Sequence, residues 1–194
     1  MEHPSSQKPW ALPERALSMF YGCPEIPRLS HYFLPKILSD GGRVLYLDGA
    51  NRFDPLLIAR FTREHGQENF NSLIRVARAF TCCQLTELVE RVPMFLDHFP
   101  ARVVMVTAIP DLYFDEDIRE PVARASFERA LEALQRLKEH PVSVAVFSGA
   151  TASQLPRGAF FQRLAVQADH LTRIEQQSDD RLSFAPGTAR QLLR

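Results

Sequence analysis

The sequence has no net charge, because Lys plus Arg and Asp plus Glu each number 23. A balanced chain sets up no long-range field that would draw nucleic acid, an anionic membrane or an acidic ligand to its whole surface, so any such contact needs a local patch. Cysteine is scarce. Cys23, Cys82 and Cys83 are an odd number without zinc-ligand spacing, and the adjacent pair is badly placed to close a disulfide on itself. That usage fits a reducing compartment, and the cytoplasm is the expected location. No apolar run approaches the roughly 18 residues a membrane helix needs, and the opening MEHPSSQKPW lacks the apolar stretch of a secretory leader. The six histidines, His3, His31, His65, His98, His140 and His170, are scattered without ligand spacing, and none is assigned to a metal.

What is present is a core-forming chain. Of 194 residues, 45% are hydrophobic, enough for one domain with a full core. Residues 1–13 are rich in Pro, Ser and Gln, show no hydrophobic period, and are expected to form an arm ahead of a core domain spanning 14–194. RALSMFYG predicts a strand ending at Gly22. LSHYFLPKILSDGG predicts a helix with Leu29, Tyr32, Phe33, Ile37 and Leu38 inward, interrupted near Pro35 and stopped by Gly41 and Gly42. RVLYLDG, ARVVMVTAI and PVSVAVFSG are continuous apolar runs, the pattern of strands buried on both faces of a parallel sheet.

Between these runs the period changes to that of helices. DPLLIARFTREHG predicts an amphipathic helix with Asp54 as N-cap, and TCCQLTELVERVPMFLDHF one opened by Thr81. A longer helix is expected over about Pro121 to Glu139, with Ala125, Leu131, Leu134 and Leu137 on its inner stripe. The segment from Phe160 to Gly187 predicts a short helix and two strands joined at Ser178–Asp180, an antiparallel hairpin at the sheet edge. Alternating helices and strands specify a three-layer α/β/α fold with a mostly parallel central sheet.

Within that pattern, Asp48 ends a core strand, Phe53 and Pro55 follow a few residues on, and Ala77-Arg78-Ala79-Phe80 precedes Gln84-Leu85 at a helix start. In residue type, order and spacing this resembles the RecA-like recombinase family, above all its archaeal and eukaryotic branch, over roughly Leu17 to Phe184. The resemblance implies a RecA-like core with an ATP site. A phosphate-binding loop needs glycines whose backbone N–H groups point inward, a Lys for the outer phosphates and a hydroxyl for magnesium. The corresponding stretch is GCPEIPRL: Gly22 keeps the first glycine position, but Pro27 stands at the second, Arg28 at the Lys and Leu29 at the hydroxyl. Proline has no N–H to donate, leucine cannot hold a metal, and a planar guanidinium replaces a compact ammonium poorly. By the same resemblance Thr107 stands where an Asp would organise magnesium, Ala50 where a Glu would orient water, and Gly149 where a side-chain amide would sense the phosphate. Groups that act as a unit are missing together.

Other residues weigh differently. Asp48, without the rest of a site, is expected to cap a turn or pair with a base. The acidic stretch with Asp111, Asp115, Glu116 and Asp117 is expected to be a solvated loop, although its acids are the candidates to restore a metal site. Cys82 and Cys83 lie at a helix start, where a thiol pKa can fall, but packing of one and exposure of the other is the simpler expectation. Thr151, Ser153, Gln154 and Arg157 occupy the place where the family's loops face DNA, yet one base without a stacking ring is a poor single-strand site. Trp10, the only tryptophan, is a candidate anchor for a partner's pocket. The expected function is therefore a non-catalytic pseudo-ATPase, a protein-interaction or regulatory subunit in DNA repair or recombination, with a protein partner or self-association and no cofactor. The alternatives are a divergent ATPase using ATP and magnesium, and ATP-independent binding of single-stranded DNA.

Overall fold

The computed structural model describes residues 12–64, 70–149, 158–176 and 182–187. In chain order β1 (Leu17–Tyr21) leads through α1 (Ile26–Leu29), a 3-10 turn (Ser30–Phe33) and α2 (Leu34–Ser39) to β2 (Val44–Asp48). Then come α3 (Pro55–Glu64), β3 (Ile74–Arg78), α4 (Cys82–Glu90), α5 (Val92–His98) and β4 (Val103–Thr107). A 3-10 turn (Asp111–Phe114) and the long α6 (Glu120–Arg136) precede β5 (Ser143–Ser148), and α7 (Gly158–Gln167), β6 (His170–Gln176) and β7 (Leu182–Pro186) complete the order.

The strands form one sheet in the order β3-β2-β4-β5-β1-β6-β7, parallel except for the antiparallel β6–β7 pair. Every residue of β1, β2, β4 and β5 is buried, as continuous apolar runs require. Because side chains alternate along a strand, each run feeds two cores. Phe20, Tyr46, Met105 and Phe147 point to one face, covered by Ile26 of α1, Leu34 and Leu38 of α2 and Ile58 of α3. Met19, Leu47, Val106 and Val146 point to the other, covered by α4, α5, α6 and α7 through Leu85, Val92, Phe127 and Leu164. The architecture is thus the expected three-layer α/β/α sandwich with a C-terminal hairpin.

Several local expectations hold for the stated reasons. The Asp54 carboxylate accepts the N–H groups of Leu56 and Leu57 and caps α3, and the Thr81 hydroxyl accepts Gln84 N–H at the start of α4. Others are corrected. Tyr32 lies on the 3-10 turn and is 46% exposed rather than inward. Pro35 opens α2 instead of interrupting a helix, which suits a residue whose missing N–H is harmless in a first turn. The stretch after Thr81 is two helices, with Pro93 in the first turn of the second. Ala125 is exposed, and the inner stripe of α6 runs through Ala123, Phe127, Ala130, Leu131 and Leu134. Gly66, expected as the stop of the helix that Asp54 opens, and the hairpin tip at Ser178–Asp180 lie outside the described residues, as does most of the 1–13 arm. No helix among the described residues is long and apolar enough to cross a membrane.

Candidate functional site

Ligands of open α/β sheets bind beyond the carboxyl ends of the strands, where neighbouring strands send their chains to opposite faces. Three such places exist among the described residues; one, between β2 and β3, is spanned by the Asp48–Arg78 pair, and the other two hold most of the residues singled out in the sequence. β1 and β5 are neighbours, yet β1 leads to α1 on one face and β5 to α7 on the other. β2 and β4 are neighbours, yet β2 leads to α3 on the first face and β4 to α6 on the second. Gly22 to Leu29 and Gly149 belong to the first crevice, and Asp48, Ala50 and Thr107 to the second.

The first crevice is occupied by its own backbone. Gly22 to Leu29 does lie between a strand and a helix, the context a phosphate loop requires. Three of its amides, however, are engaged locally: Ile26 N–H donates to Cys23 O at 3.1 Å, and Arg28 and Leu29 N–H donate to Glu25 O at 2.9 and 3.0 Å. Pro24 and Pro27 have no N–H to offer. The amides of Glu25 and Ile26 face the Cys23 thiol, which burial nonetheless pushes above its ordinary pKa. Gly22 has a separate reason to be glycine. Its φ is +134°, and a Cβ there would come within 2.4 Å of Ile174 O on β6. Gly149 is pressed from the loop side, since a Cβ at that position would approach Pro24 Cα and O to 3.2 Å and Asp111 Oδ1 to 3.4 Å. Pro24 thus takes up the space that a side chain at position 149 would need.

The side chains of this segment look inward or away. Pro27 is buried, and its carbonyl accepts the Ser30 hydroxyl at 2.6 Å. The Tyr46 hydroxyl in turn donates to Ser30 Oγ at 2.7 Å, and burial holds that phenol far above its usual pKa. Arg28 is exposed and Leu29 half-buried against the first core. His31, unassigned by its position in the sequence, is fully buried: Nδ1 donates to Arg28 O at 2.8 Å, and Nε2 accepts Asp54 N–H at 3.0 Å.

The second crevice is a closed polar network. Asp48 is 0% exposed, and its carboxylate accepts Arg52 N–H, Phe53 N–H, the Thr107 hydroxyl and the Arg78 guanidinium. The Thr107 hydroxyl also accepts Ala50 N–H at 3.1 Å, so two positions that the resemblance links to metal and water are bonded to each other. Phe53 packs its ring against His31 and Tyr46, with centroids 5.4 and 5.0 Å away. Pro55 starts α3. Gln84 accepts Phe80 N–H at 2.9 Å, while the Phe80 ring is 64% exposed. Asp48 therefore does the turn-capping and base-pairing work expected of it. Just beyond Thr107, Ala108 is buried with φ +64°, a left-handed conformation that costs a non-glycine residue about 1–2 kcal/mol.

Chemistry elsewhere is modest. Asp115, Glu116 and Asp117 form an exposed turn before α6, with Asp115 accepting Asp117 N–H, and no group of three or more His, Cys, Asp or Glu residues suited to a metal occurs among the described residues. Cys82 is buried and Cys83 half-buried; burial, with Cys83 beside it, pushes the Cys82 thiol up to about 11, so the helix start does not activate it. Trp10, Thr151, Ser153, Gln154 and Arg157 lie outside the described residues. No protein-family model matches the chain, and no curated protein matches it. The missed residues, His31, Pro24, Ser30 and Tyr46, carry no motif; only their convergence in space marks them.

Proposed function

We propose that this chain is a non-catalytic relative of the RecA-like ATPases, working as a protein-interaction or regulatory subunit in DNA repair or recombination. The observation that carries it is the self-bonded segment after β1. A phosphate loop is a set of unpaired amides waiting for an anion; here Ile26, Arg28 and Leu29 already donate to Cys23 and Glu25, and prolines stand at positions 24 and 27. The second crevice supports the same view, because Asp48 and Thr107 are consumed by backbone and by Arg78. The link to DNA repair rests on the resemblance of Asp48, Phe53, Pro55, Arg78, Phe80 and Gln84 to the recombinase pattern.

Thermal unfolding with and without Mg-ATP tests the non-catalytic part. A ligand at a hundred times its dissociation constant adds about 2.7 kcal/mol, a shift of several degrees for a chain of this size. No shift at millimolar Mg-ATP is expected, and a shift of that size sinks the proposal in favour of a divergent ATPase. The interaction part is tested by sedimentation of the protein purified from its native cells: a complex or self-assembly is expected, and a lone monomer without a co-purifying protein speaks against it.

A further inference from the structure

The buried imidazole of His31 bridges α1 and the entry to α3 by one hydrogen bond to each. Arg28 O, on α1, is an acceptor only, so Nδ1 carries the proton; Asp54 N–H, at the entry to α3, is a donor only, so Nε2 must be bare. The residue is 0% exposed and its ring packs against Tyr46 and Phe53, with centroids 5.8 and 5.4 Å from it. The segment it holds, 49–54, also carries Ala50, Arg52 and Phe53, whose N–H groups close over Thr107 and Asp48. We propose that His31 is an acid-sensitive latch: a proton on Nε2 turns its acceptor into a second donor facing Asp54 N–H, breaks that bond while Nδ1–H stays on Arg28 O, and frees segment 49–54 to uncover Asp48 and Arg78 while the sheet persists.

The charges around the ring set the direction. Burial disfavours the imidazolium and is the dominant influence; the hydrogen bond to the Arg28 carbonyl and the charges of Asp54 and Asp48 favour it, the Arg28 guanidinium opposes it, and the outcome is a pKa below the ordinary 6.5. The closed form therefore binds the proton less readily than an opened one, in which the imidazole meets water. Between pH 6.5 and the lower pKa of the closed form, the opening constant rises by up to tenfold per pH unit as the solution is acidified. The latch does not depend on whether the crevice is read as a protein-binding or a nucleotide-derived surface.

Nitrogen-15 NMR of the imidazoles and amide hydrogen exchange from pH 7.5 to 5.0, on the full chain, test it. His31 is expected to be a neutral Nδ1–H tautomer at pH 7.5 and to titrate below 6.5. The amides of Ala50, Arg52, Phe53 and Asp54 are expected to lose protection in acid while those of β4 and β5 keep theirs. His31→Gln can still donate and accept but does not titrate, and it should remove the pH dependence from that segment alone. Titration of His31 at or above 6.5 in the wild-type protein, an Nε2–H tautomer, or simultaneous loss of protection in the segment and in β4 and β5 overturns the proposal. The wild-type measurements decide the matter even if His31→Gln fails to fold.

Discussion

The Arg78 guanidinium meets Asp48 Oδ2 through both Nε and Nη2 at 3.1 Å, joining the carboxyl ends of β3 and β2. Asp48 is fully buried, whereas the Arg78 side chain is 41% exposed, so the two partners are not equivalent. Removing the carboxylate leaves two loop amides and a threonine hydroxyl to find new acceptors; removing the guanidinium leaves a charge that those same donors still serve.

Asp48→Ala is therefore expected to lower the unfolding free energy by about 3 kcal/mol, and Arg78→Ala by only about 1–2 kcal/mol, solvent screening having already weakened its side of the pair. Urea titrations of both single variants and the double variant check this. The double variant should be little worse than Asp48→Ala, and equal losses from the two single changes would show that the arginine, not the backbone amides, is the main support of the carboxylate.

Gly22 would be silent for stability if it served only to admit a phosphate. Its positive φ and the 2.4 Å approach of a Cβ to Ile174 O make it a packing requirement between β1 and β6 instead. Gly22→Ala should cost about 3 kcal/mol or more, a fall of roughly 6–12 °C in Tm for a chain of this size. Calorimetry on the variant, with no nucleotide present, reads the result.

Stability should fall in two stages on acidification. His31 has its folded pKa below the ordinary 6.5, so the unfolded chain takes up a proton first; its contribution is complete above pH 6.5 and declines below that value. Glu90, held down by its hydrogen bonds to Arg129, contributes above about pH 4.5 and loses that contribution as pH drops through its lowered folded value. Asp169 behaves similarly from 3.8: burial acts against its ionised form, but Lys138 and Leu17 N–H outweigh it. Asp169 is exposed and Glu90 half-buried, so solvent still screens both pairs and the second stage should be shallow at moderate salt. Urea midpoints between pH 8 and 3 report both stages, and His31→Gln should flatten only the first.

The layers of this fold were legible in the chain because burial on both faces leaves a local trace. A strand between two helical layers must be apolar throughout, and RVLYLDG, ARVVMVTAI and PVSVAVFSG satisfy that rule in residues adjacent in sequence. The caps at Asp54 and Thr81 are equally local, each spanning two or three residues. Tyr32 and Ala125 were misplaced because the helical phase is set by which side meets the sheet, and a few residues of periodicity do not state the origin of the rotation.

The crevice divides the same way. Residue types alone determined which groups it lacks: proline supplies no amide N–H, and leucine, alanine and glycine carry no side-chain ligand, wherever they fold. What fills the space was decided only in three dimensions, where Pro24 closes on Gly149, Thr107 bonds Ala50 across 57 positions of chain, and His31 reaches Asp54 across 23. Chemistry is carried by single residues and is therefore readable one by one, whereas a polar network depends on strand order and register, which bring distant positions to one edge of the sheet.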